Sequence, residues 1–92
     1  MTNRFLITNT TMSGGGAGSE DEYTFPADVI SVILQASGGD ITLAHVSSGA
    51  TFTLADGASL NFNLRGLPGY TLYCDGTAGV VLQAIEFYGL NA

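Results

Sequence analysis

The chain has 92 residues, 46% of them hydrophobic and only 11% charged, and a net charge of −6 with two basic residues, Arg4 and Arg65. One small domain follows from that length, and the charge balance excludes the basic footprint that nucleic acid requires and disfavours anionic membrane surfaces. The charged fraction lies far below the roughly 25% of an average soluble domain, so either another protein covers part of the surface or the surface is neutral and rich in Ser, Thr, Asn and Gly.

In chain order, residues 3–9 (NRFLITN) read either as a first strand or as an extended arm that orders against a partner. Residues 13–22 (SGGGAGSEDE) combine glycines with three carboxylates and are expected to form a flexible loop. The organisation expected is therefore an arm or first strand over 1–12, a glycine-rich acidic loop over 13–22, and a β-sandwich domain over 23–92. Residues 29–36 (VISVILQA) are nearly continuously apolar and β-branched, which favours a central strand. Further strands are expected over 41–46, 51–54, 58–64, 70–74 and 80–88. Asp56-Gly57 and Leu67-Pro68-Gly69-Tyr70 mark turns. Within 59–64, Leu60, Phe62 and Leu64 alternate with polar residues, so one face is apolar.

Strand starts near 29, 41, 51, 58, 70 and 80, separated by glycine-rich turns, predict a single antiparallel β-sandwich with essentially no helix. The expected core is Ile30, Val32, Leu34, Ile41, Leu43, Leu60, Phe62, Leu64, Leu72, Leu82 and Ile85. Both faces of 29–36 and of 80–88 are apolar, so their register is open: either two layers bury them, or one face meets a partner.

Catalytic chemistry finds little support. His45 is the sole histidine, no GxSxG motif accompanies it, and one histidine with one cysteine makes a poor zinc set. Cys74 cannot form an internal disulfide and reads as a small buried hydrophobe. Glu20-Asp21-Glu22 is the one carboxylate cluster, and a solvated acidic loop explains it better than calcium, because the EF-hand spacing is missing. The SGGGAG run lacks the Lys-Ser/Thr of a phosphate loop. Tyr23, Tyr70, Tyr73 and Tyr88 read either as a sugar-stacking face or as sheet packing. No catalytic, cofactor or metal residue is assigned, and the protein is expected not to be an enzyme. The start MTNRFLITNT lacks the apolar core of a signal peptide, so synthesis in a cytoplasm is expected.

Several pieces occur in a fixed order. Leu54-Ala55-Asp56-Gly57-Ala58-Ser59-Leu60 is followed by Leu64, by Leu72-Tyr73, by Gly76-Thr77-Ala78-Gly79 and by the apolar run 80–87. In this the stretch 29–87, about two-thirds of the chain, resembles small β-sandwich virion proteins of tailed bacteriophages, of the capsid decoration (cement) or head-fibre type. The resemblance implies a jelly-roll-like domain on the phage head surface, a homotrimer bound to the major capsid protein or another virion protein, and no active site. The contacts it suggests are Arg4, Phe5, Leu6 and Ile7 in the arm, and Arg65 with Leu67 at a loop tip. The alternative is a carbohydrate- or receptor-binding module on head, neck or tail, with a glycan as ligand.

Overall fold

The computed structural model describes residues 4–63 and 69–88. Eight strands account for most of them: β1 (Arg4–Thr11), β2 (Asp21–Thr24), β3 (Val29–Ser37), β4 (Ile41–Ala44), β5 (Thr51–Leu54), β6 (Ser59–Asn63), β7 (Thr71–Gly76) and β8 (Val81–Tyr88). Two four-stranded antiparallel sheets result, one in the order β1-β8-β3-β6, the other in the order β2-β7-β4-β5. Among the described residues no helix is long and apolar enough to cross a membrane.

The sheets share one core. The first contributes Val32, Leu34 and Ala36 from β3 with Leu82, Ala84 and Tyr88 from β8; the second contributes Tyr23, Ile41, Leu43, Leu54, Leu72 and Cys74. Met12 and Phe25, just outside β1 and β2, are completely enclosed. Phe25 anchors an aromatic cluster, edge-on to Tyr23 with ring centroids 5.3 Å apart, tilted against Phe62 at 5.2 Å and stacked on Tyr70 at 6.4 Å. Such pairs add to the area term of burial.

Period-two alternation dictates which residues enter the core. In β8 the even positions Leu82, Ala84, Glu86 and Tyr88 point inward, and the odd positions Val81, Gln83, Ile85 and Phe87 point out. Ile85, expected in the core, therefore lies on the outer face. Ile30, also expected in the core, is 51% exposed. The cause is a β-bulge: the register on β8 steps from Val29 opposite Tyr88 to Ser31 opposite Phe87, leaving Ile30 as the extra residue. The bulge lets Val29 and Val32, three positions apart, both be buried. Leu60 and Phe62 pack only partly against the core, as befits edge strand β6. Leu64 lies outside the described residues.

The N-terminal segment is a strand, paired with β8 over its whole length from Arg4–Tyr88 to Thr11–Val81. Asp21 and Glu22, expected in the loop, open β2 opposite Cys74 and Tyr73. The glycine-rich segment between them makes defined contacts. The Ser13 amide donates to Asp21 Oδ2 (2.8 Å) and the Gly16 amide to Asp75 Oδ1 (3.2 Å), and Gly14, Gly16 and Gly18 adopt positive φ. At the same end of the sandwich two turns lock together: Asp56 Oδ1 accepts from the Gly38 amide, and the Asp56 amide donates to Asp40 Oδ1.

Candidate functional site

Two features stand out from an ordinary sandwich: a buried polar cluster between the sheets and an uncharged apolar outer face.

The cluster centres on Glu86, 4% exposed in the middle of β8. Its Oε2 accepts from the Tyr23 hydroxyl at 2.5 Å; its Oε1 accepts from the Tyr88 hydroxyl at 3.1 Å and from Thr8 Oγ1 at 3.3 Å. Three strands converge here, β1 and β8 from one sheet and β2 from the other, so the carboxylate links the two layers. Burial, the hydrogen bond to Glu86 and the charge of Glu86 together push the Tyr23 phenol well above its ordinary range, which keeps it a donor. Among the described residues no buried side-chain nitrogen or oxygen is left without a partner. A saturated carboxylate with no open side is a structural clasp rather than an acid or base poised for substrate.

The outer face of the first sheet is built in rows across the strands. Phe5, Phe87, Ser31 and Asn63 form one; Ile7, Ile85, Ile33 and Asn61 the next; Asn9, Gln83, Gln35 and Ser59 the third; Thr11, Val81 and Ser37 the last. The first two rows are dominated by large apolar side chains. Phe5 is 58% and Ile7 60% exposed, and the rings of Phe5 and Phe87 lie 6.1 Å apart. No charged residue occurs in any row. The outer face of the second sheet contrasts with it, carrying Glu22, Thr24, Thr42, Thr53, Thr71, Tyr73 and Asp75. One face is thus suited to water and the other to protein.

No protein-family model, curated protein or solved structure matches the chain.

The residues expected to make partner contacts divide accordingly. Phe5 and Ile7 join the apolar face. Leu6 pairs with Glu86 on the inner side of edge strand β1 and stays half exposed, and Arg4 opens that strand. Arg65 and Leu67 lie outside the described residues. Ile33, Ile85 and Phe87 complete the face, and the register of β1, β8 and β3 is what brings them together. Glu86 had a weak signal, a lone carboxylate inside an apolar strand.

The four tyrosines do not share a face. Tyr23 and Tyr88 turn inward onto Glu86, Tyr70 stacks on Phe25, and Tyr73 lies on the outside of the second sheet. The carboxylates of the acidic run diverge as well. Glu20 accepts from Ser47 Oγ and the Ser48 amide, both at 2.8 Å, which lowers its carboxyl to about 2, the Ser48 amide being the largest cause. Asp21 holds Ser13. Among the described residues no group of three metal-ligating side chains converges.

His45 lies exposed at the rim of an apolar cleft of about 460 Å³, between Leu43, Phe52 and Leu72 of one sheet and Leu60 and Phe62 of the other. The hydroxyl nearest it in sequence, Ser47, donates to Glu20. Cys74 is fully buried, and burial first, then the charge of Asp21, pushes its thiol up to about 12. A thiol held protonated at neutral pH is inert as a nucleophile.

Proposed function

We propose that the protein is a non-enzymatic structural component of a phage particle, decorating or cementing the head surface through protein–protein contacts as a homo-oligomer. The observation that carries this reading is the uncharged apolar outer face of β1, β8 and β3, a surface fit for burial against another protein. The strand order supports it. Eight strands arranged β1-β8-β3-β6 against β2-β7-β4-β5 follow the pattern of a jelly roll, an architecture used in viral capsid domains and also in lectins. The resemblance of residues 29–87 to phage virion proteins points the same way.

The mechanism is burial of sheet surface. At about 25 cal/mol per Å², roughly 500 Å² of apolar contact contributes on the order of 12 kcal/mol gross, before association costs. A neighbour on the particle, whether a second copy, the major capsid protein or another virion protein, gains a brace, and a small domain gains stability from the contact. The polar Thr-rich face of the second sheet is left for solvent. Quantitative mass spectrometry of purified phage particles tests the reading. Decoration predicts many copies per head, and a protein absent from particles defeats it.

A further inference from the structure

We infer that the outer face of the first sheet packs against the same face of a second copy of this chain. The inference rests on the reading above that this face is a protein contact, and it names the partner.

The argument is electrostatic first. Every copy carries a net charge of −6, so two copies approaching through surfaces that bear carboxylates repel. Glu22 and Asp75 lie on the outer face of the second sheet, Glu20 in the preceding loop, and Asp40 and Asp56 in the locked turns. Across the rows of the first sheet there is no charge. A basic partner would gain nothing from this face, because it offers nothing to attract a cation. A like-charged copy loses least here.

The pattern is also self-complementary. A two-fold axis lying in the plane of the face, along the strands, sets each row against itself. With the axis over β8, Phe87 and Ile85 meet their own copies, Ile7 faces Ile33 of the second copy, Gln83 meets its own amide, which both donates and accepts, and Asn9 faces Gln35. Polar residues border the apolar patch on two sides, the row of Asn9, Gln83, Gln35 and Ser59 and the β6 edge with Asn61 and Asn63.

Size sets the strength. Three strands of eight or nine residues and β6 of five, about 4.8 Å apart, span roughly 500 Å² per copy, so a dimer buries at most about 1,000 Å² in total. That is the lower bound for a specific interface, so the dimer is weak and concentration-dependent in solution.

Sedimentation equilibrium of the full chain from about 1 to 500 µM provides the test, because such interfaces reach micromolar affinity. The mass is expected to rise from 9.5 kDa toward twice that value. Ile7→Lys, at an exposed position, is expected to keep the protein monomeric throughout. Gln83→Glu is nearly isosteric and preserves the fold. It is expected to weaken association at least about tenfold at low salt, with partial recovery at high salt. Thr53→Lys on the other sheet should leave association unchanged. A wild-type protein that stays monomeric overturns the inference, as does association that Gln83→Glu leaves untouched. If Ile7→Lys also lowers occupancy on particles while the wild type is monomeric, the face docks a different protein: the second copy is then refuted and the virion reading survives.

Discussion

Removing the Tyr23 hydroxyl tests whether the Glu86 cluster holds the two sheets together. In Tyr23→Phe the ring keeps its place against Phe25, and Glu86 Oε2 loses the donor at 2.5 Å. Tyr88 and Thr8 both reach the other oxygen, so neither replaces it. A hydrogen bond to a charged group contributes about 1.5–3 kcal/mol, and the stranded carboxylate oxygen lies in a site too buried for water to compensate freely. The expected loss is about 2–3 kcal/mol. For a domain of this size that corresponds to a fall in Tm of roughly 10–20 °C. Urea denaturation followed by circular dichroism reads the change as a lower midpoint with an unchanged slope. Pairing the variant with Glu86→Leu gives a double-mutant cycle with a coupling of about 1–3 kcal/mol, since an apolar pair no longer strands a charge. A loss below about 0.5 kcal/mol in Tyr23→Phe would show that the cluster does not link the layers.

Alkaline pH strains the same core. The folded thiol of Cys74 sits near 12 against an ordinary 9.0, so below pH 9 both states are protonated and its contribution is complete. Above pH 9 the unfolded chain releases a proton that the folded chain retains, and stability falls by about 1.4 kcal/mol per pH unit until the folded thiol ionises. The raised Tyr23 phenol adds a second such slope above pH 10. Urea midpoints measured between pH 8 and 11 should therefore drop, and Cys74→Ala should flatten the first part of the curve; a flat wild-type profile would refute the assignment. Phe25→Ala empties the centre of the aromatic cluster and is expected to cost about 3–5 kcal/mol, leaving the domain largely unfolded at 37 °C by thermal melting. A melt within a few degrees of the wild type would contradict the packing.

Strand positions were legible where apolar and polar residues alternate between turn residues. The starts expected at 29, 41, 51, 58, 70 and 80 lie within one residue of β3 to β8. The facing of β3 and β8 was not legible, because hydrophobicity is a poor guide where the outer face is also apolar. Ala84 and Glu86 point inward while Ile85 and Phe87 point out, the reverse of what size and polarity suggest. Strand β2 was hidden by its own acidic start. Asp21 and Glu22 look solvated in sequence, yet pairing with β7 and the Asp21–Ser13 contact hold them in a ladder. The clasp was out of reach for a different reason. Thr8 and Tyr23 lie 78 and 63 residues from Glu86, so only the fold brings their hydroxyls to it. On the apolar outer face, Phe5 and Ile7 stood out in the sequence as alternating apolar residues, but their companions Ile33, Ile85 and Phe87 required the register of three strands.

The place of β8 in the first sheet also shapes how the protein comes into being. It follows the other seven described strands in the sequence, yet it lies between β1 and β3 and supplies the hydrogen bonds that join them. During synthesis β1 and β3 must wait, unpaired with each other, until residues 81–88 leave the ribosome. The pairing that joins β1 to the rest of the first sheet thus closes across nearly the whole described chain, and such long-range contacts predict folding in milliseconds to seconds rather than microseconds. Until that step, the edge of β3 that β8 will cover is open to other nascent chains, so the hazard of misassembly lasts until residues 81–88 have emerged.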